Sequence, residues 1–166
     1  MPGKVVPLPR PMHRLIIVVA SAGYIGYIPV ASGTFGSLVG IPLFLAFDRV
    51  RYISTPVYLV TFALAVLAAC WIAGAAERIF AEHDSHKIVI DEVVAYLAAT
   101  LFLEPTWSHA IGAFLIFRIL DVVKPFPASY IDARLAGGYG VTLDDVVSGL
   151  YSNLVLRAVI GLGLLR

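Results

Sequence analysis

Charge is scarce in this chain. Only 14% of its 166 residues are Asp, Glu, Lys or Arg, and the formal net charge is +1, so no basic surface is available to hold a nucleic acid. Nor do basic and aromatic residues interleave. Cysteine is nearly absent: Cys70 stands alone, which excludes an intrachain disulfide and leaves thiol content silent about compartment. A cleavable signal peptide is not expected either, because four prolines fall among the first eleven residues and no small-residue cleavage site follows a compact apolar stretch.

What is abundant is apolar sequence. Hydrophobic residues make up 60% of the chain and the mean hydropathy is +0.89, far from an ordinary soluble domain. The length suits a single domain spanning residues 1–166. Residues 55–76 carry no charge over 22 positions, enough to cross a hydrocarbon core of about 30 Å as a helix. The fold class expected is therefore all-α: a polytopic membrane bundle with about five membrane-embedded helices.

Read in order, residues 1–14 form a proline-rich basic leader with Lys4, Arg10 and Arg14, suited to an extended course at a membrane surface. Residues 15–28 are apolar but short and end at Pro29, which suggests a re-entrant or interfacial segment. The glycine- and hydroxyl-rich stretch 29–40 reads as a loop that brings backbone amides near an anion, with Thr34 and Ser37 as its hydroxyls. Short apolar runs follow at 38–47, 93–103 and 110–123, and the last helix is expected to open at an acidic pair and run to residue 165. Small residues at 95, 98, 99, 148, 149 and 152 suit close helix packing.

Against this apolar background the acids stand out. Asp91 and Glu92 open one apolar run, Asp121 follows another, and Asp144 and Asp145 head the last. A charge at bilayer depth costs roughly 2.5–3.5 kcal/mol, so five such carboxylates need a common purpose. If 38–47 and 55–76 cross and return, and 93–103 and 110–117 do the same, the acids, the glycine-rich loop and residues 118–127 share one face. The positive-inside rule makes that face cytoplasmic, with Arg78, Lys87, Arg118, Lys124 and Arg134 on it against Arg49, Arg51 and Arg166 opposite. Arg118, Asp121 and Lys124 are spaced three apart and lie near one helix face, where the plainer explanation is a membrane-buried salt bridge. Five acids are nonetheless too many for Arg118 and Lys124 to neutralise, and a hard divalent cation with oxygen ligands would relieve the repulsion. Either His83 or His86 could protonate a leaving group, although a solvated loop position is the plainer reading. His109, beside Trp107, suggests an interfacial anchor.

Four blocks, GTFGSLVGIPL, IVIDEVVAY, FRILDVVKPFP and GGYGVTLDDVVSG, in this order across residues 33–149, resemble the bacterial phosphatidylglycerophosphatase A family. The resemblance implies Mg²⁺-dependent hydrolysis of the phosphomonoester of phosphatidylglycerophosphate at the cytoplasmic side of the inner membrane. It carries the family's acidic positions onto Asp84, Asp91, Glu92, Asp121, Asp144 and Asp145, and its basic positions onto Arg118 and Lys124. One departure is Ser32, where the family pattern has proline. On this reading Asp91, Glu92, Asp121, Asp144 and Asp145, with Asp84 as a further candidate, hold the metal. Arg118, Lys124, Thr34 and Ser37 hold the phosphate.

Two rivals remain at the level of sequence. A membrane cation transporter would use the same intramembrane acids, but at the midplane and not at helix ends. Another lipid-headgroup enzyme would need signatures that are missing: the long-spaced DG, AR, G, D and D pattern of phosphatidyltransferases, or the SGH block of histidine-nucleophile lipid phosphatases. No DxD pattern marks an aspartyl nucleophile, so water is the expected attacking group. Oligomeric state is not legible.

Overall fold

A computed structural model describes residues 9–165 of the chain. Residues 1–8 of the expected leader, with Lys4, and Arg166 lie outside the described residues. Seven α-helices are formed: α1 (Arg10–Ala20), α2 (Ser32–Arg51), α3 (Thr55–Phe80), α4 (Ile90–Ala99), α5 (Trp107–Val123), α6 (Ala128–Arg134) and α7 (Gly138–Gly161). A single 3-10 turn, Ile25–Tyr27, joins the first two. The all-helical expectation is met, and no strand forms among the described residues.

Local chemistry fixes several boundaries. The Ser54 hydroxyl accepts a hydrogen bond from the Val57 amide at 3.3 Å, and Pro56 sits in the first turn, so α3 starts at Thr55. Thr106 caps α5 in the same way through the His109 amide, at 3.2 Å. Two helices are long and apolar enough to cross a membrane, α2 with 20 residues and α3 with 26. α5 and α7 have 17 and 24 residues.

Three sequence expectations need correction here. Arg10 and Arg14 are not in extended chain but open α1, which packs Ile16 and Ala20 against Ala73 and Ala76 of α3. Residues 29–40 are not a loop beyond Ala31; Gly33, Thr34 and Ser37 already lie in α2. And the run 93–103 does not cross as one helix. α4 stops at Ala99 after 10 residues, about 15 Å, half the thickness of a hydrocarbon core.

This short helix is the centre of the bundle. Residues Val93 to Ala99 are all buried, and α2, α3, α5 and α7 pack around α4. The closest approach is to α7, where a side chain at Gly149 would collide with the Ala95 carbonyl. The small-residue stripe of the last helix therefore serves packing, as Ser148, Gly149 and Ser152 suggested. The contact sets a parallel register, with Asn153 one turn beyond Gly149 and Ala99 one turn beyond Ala95. A helix that ends inside the protein must find partners for its last carbonyls. Asn153 Nδ2 donates to the carbonyls of Ala99 and Leu101, both at 3.0 Å, and the Arg157 guanidinium donates to Leu101 at 2.8 Å.

At this far end Arg51 pairs with buried Asp48 at 3.0 Å and with Glu104 at 3.4 Å. His109 is buried there, its Nδ1 hydrogen-bonded to the Glu104 carbonyl at 2.8 Å, so it ties down a turn and is not the expected interfacial anchor. Trp107, two residues before it, is exposed. Replacing Asn153 with Ala strands the Ala99 carbonyl and leaves Leu101 to Arg157 alone, and we expect a loss of about 1–3 kcal/mol, read as a lower thermal midpoint in detergent. An unchanged midpoint would mean that Arg157 alone satisfies the end of α4.

Candidate active site

One turn back from the Gly149–Ala95 contact, α7 presents Asp145 and α4 presents Asp91. The same register that caps α4 at its far end thus brings two acids together at its near end. Asp91 and Glu92 occupy the first turn of α4, where the helix dipole favours negative charge, and Asp91 Oδ1 accepts from the Glu92 amide at 3.0 Å. Carboxylate oxygens of Asp91, Glu92 and Asp145 all fall within 4.8 Å of one another. Asp144 and Asp145 do not open α7 as expected. The helix starts at Gly138, so the acids sit in its second turn and are buried.

α5 supplies the rest. Arg118 pairs with Asp121 at 2.9 Å, the i, i+3 bridge anticipated from spacing. Lys124 was expected on the same face as Asp121 but pairs elsewhere. It is the C-terminal cap of α5 with a left-handed backbone (φ 43°), which takes it off the helix face. Its ammonium lies 2.6 Å from Asp144 Oδ2 and 3.0 Å from Asp132 Oδ1. Burial opposes that charge, but the hydrogen bonds it donates to Asp144 and Asp132 outweigh it and hold the Lys124 pKa above the ordinary lysine value.

These residues line a cavity of about 470 Å³. Around it are Asp91, Glu92, Asp121, Asp144, Asp145, Arg118 and Lys124, together with Asp84 and His86 from the loop before α4. Asp84 is exposed at the rim, its amide bonded to Glu77 Oε1 at 2.9 Å, outside the tight trio. His83 turns away to pair with Glu77. Thr34 and Ser37 do not line the cavity. Thr34 is two residues, 200° of helix turn, from Ser32, and the buried Ser37 hydroxyl is spent on the Gly33 carbonyl at 2.9 Å. Their places are taken by Ser32, whose hydroxyl donates to the His86 carbonyl at 2.7 Å, and by Gly33. A side chain at Gly33 would meet the end of the Glu92 side chain, which would have to shift out of its present position.

Asp132 on α6 was missed. It lies in a polar link with no apolar period to flag it, and only its contact with Lys124 reveals it. With it, seven carboxylates face two fixed cations in one cavity. Glu92 Oε2 and Asp144 Oδ1 are buried without a hydrogen-bond partner. Such a set of oxygen donors, short of positive charge, fits a hard divalent cation.

The phosphatidylglycerophosphatase A profile matches residues 18–160. The chain belongs to the phosphatidylglycerophosphatase A family. It is 31% identical over 159 residues to the Haemophilus influenzae phosphatidylglycerophosphatase A, covering 95% of this chain and 94% of that one. The Escherichia coli phosphatidylglycerophosphatase A is 31% identical over 149 residues, 89% of this chain and 82% of the relative. A Bacteroides thetaiotaomicron protein provisionally named a phosphatidylinositol-3-phosphatase is 32% identical over 161 residues, covering 92% and 99%. No solved structure matches. The matched region of this phosphatase family contains every cavity residue named above.

A cluster kept for function should weigh on the fold when metal is withheld. Asp145→Asn removes one of the mutually repelling acids. In chelator it should raise stability by about 1 kcal/mol, seen as a higher thermal midpoint than wild type. A lower midpoint would mean that the acids are held by structural pairing alone.

Proposed function

We propose that the chain hydrolyses the phosphomonoester of phosphatidylglycerophosphate, with Mg²⁺, to phosphatidylglycerol and inorganic phosphate. The observation that carries this reading is the cavity's charge: seven carboxylates with Arg118 and Lys124 among them. Unaided, so many acids would repel a phosphate dianion; with a divalent cation the pocket accepts one. The relatives' names supply the substrate class, and the donor chemistry supplies the metal.

Asp91, Glu92 and Asp145 would hold the ion, with Asp121 and Asp144 beside them as ligands for a second ion or for waters. When bound, a magnesium ion supplies Lewis acidity toward the phosphoryl oxygens and favours a hydroxide-like nucleophile. Arg118, bridged to Asp121 through one nitrogen, keeps its other N–H groups for a phosphoryl oxygen. Lys124 is fixed by Asp144 and Asp132, and its high pKa keeps it a cation for the same task. Ser32 ties the His86 loop to α2, so His86 at the cavity rim is placed to pass a proton to the departing headgroup oxygen.

We further infer five membrane-embedded helices in a bacterial inner membrane: α2, α3, α5 and α7 crossing, and α4 entering half-way. The cavity faces the cytoplasm, in keeping with Arg78, Lys87, Arg118, Lys124 and Arg134 at its end of the bundle. A transporter is the weaker reading because the acid cluster lies at one end only. At the other, Asp48 and Arg51 are closed into ion pairs with no second open acid cluster among the described residues.

The test is phosphate release by purified protein in mixed micelles, from phosphatidylglycerophosphate and from phosphatidylinositol 3-phosphate, with Mg²⁺ or chelator. We expect release from the first lipid that stops in chelator, and a fall of about a hundredfold or more for Asp145→Asn. Preference for the inositol lipid would reassign the substrate. A folded, cation-binding wild type that releases nothing from either would favour the transporter.

A further inference from the structure

The rim of the cavity is not uniform. On one side it is polar, with the exposed groups Asp84 and His86 from the loop and Asp132 from α6. The α4–α7 side is sealed by buried residues, and no residue of α3 lines the cavity. The lining residues that are both apolar and exposed are Pro29 and Ala31, just before α2, and Val122, near the end of α5. Val122 is a wall of this acidic cavity and yet 77% exposed. A valine in contact with both a charged pocket and the exterior marks an opening.

What lies outside that opening is also apolar. Ile111, Leu115, Ile119 and Val122 recur at i, i+4, i+8 and i+11 along α5, each more than half exposed, and form one stripe that ends at the cavity wall. Phe126 continues it past the helix end, and Val30 stands exposed beside Pro29 and Ala31. The two elements adjoin closely: α2 packs on α5, and a side chain at Gly33 would lie 3.5 Å from the Arg118 guanidinium. That approach lies one helical turn of α5 before Val122, where the two helices draw together.

We infer that this seam is a lateral portal: the acyl chains of a phospholipid leave the cavity between Ala31 and Val122 and lie along the outer stripe of α5, while the headgroup stays among the acids. The inference rests on the lipid-phosphomonoester reading given above. It fixes an orientation. The terminal phosphate points inward to Asp91 and Asp145, with Arg118 beside it on the side of the seam. A soluble phosphomonoester would enter by the polar rim and have no use for the seam.

The probe is a hydrolysis-resistant diacyl phosphonate analogue of phosphatidylglycerophosphate, with a diazirine near the carbonyl end of one acyl chain. It is photolysed in phosphatidylglycerol micelles with and without excess unlabelled phosphonate, which separates specific crosslinks from those of surrounding lipid. Competable crosslinks should map to residues 119–126 and to the start of α2. Val122→Trp, at an exposed position that needs no repacking, should weaken them and lower kcat/KM for the diacyl substrate about tenfold. Leu64→Trp, equally lipid-facing on α3, should change neither. Competable crosslinks in the separate hollow between α3 and the start of α7, lined by Trp71 and Tyr139, or none that compete, would overturn the portal, as would a Val122→Trp enzyme with unaltered crosslinks and rate. Competable crosslinks at α5 in a protein that releases no phosphate would instead keep the portal and sink the phosphatase reading.

Discussion

The contact between Gly149 and the Ala95 carbonyl sets the geometry of everything functional in this protein. With no side chain at 149, α7 lies against the backbone of α4, and two parallel helices in register repeat the match every turn. One turn toward the cavity, the match is Asp145 with Asp91. One turn away, it is Asn153 with Ala99, and the hydrogen bonds there close the end of α4. A shift of either helix by a single residue would rotate its acid by about 100° out of the cluster and pull Asn153 off the carbonyls it caps. Packing and site are consequences of one steric fact.

That arrangement also explains how a bundle with so little charge can hold seven carboxylates at one end. α4 is buried on all sides and ends half-way, so its N-terminal dipole is aimed at the cavity and favours Asp91 and Glu92 there. Asp144 and Asp121 are each matched to a cation, Lys124 and Arg118. Asp132 shares Lys124 and Asp84 is exposed at the rim, so the inner trio of Asp91, Glu92 and Asp145 is the part of the cluster that no ion pair compensates among the described residues. The far end of the bundle shows the contrast: Asp48 and Glu104 share Arg51, and the polar groups there are consumed by structure.

Arg118 and Lys124 are similar in sequence setting and differ in construction. Arg118 is tied within its own helix. Lys124, turned off the end of α5, bridges to α7 and α6 and so draws three elements to one ammonium. Asp132, on the least apolar of the helices, enters the site only through that bridge.

The sequence by itself determined the all-helical class and singled out most of the charged residues that line the cavity, because hydropathy and charge are local properties. It also carried four blocks dense enough to indicate the family. It did not determine the length of α4, since the run 93–103 is apolar throughout and only the turn after Ala99, with Asn153 and Arg157 reaching across to its carbonyls, ends the helix. Nor did it determine that Ser32 and Gly33 face the cavity instead of Thr34 and Ser37, because that depends on where α2 begins and on its rotation about α4. The partners of Lys124 and the place of Asp132 and Val122 in the cavity wall were likewise decided by tertiary structure. Each depends on the phase of one helix against another, and phase is fixed by contacts between residues distant in the chain.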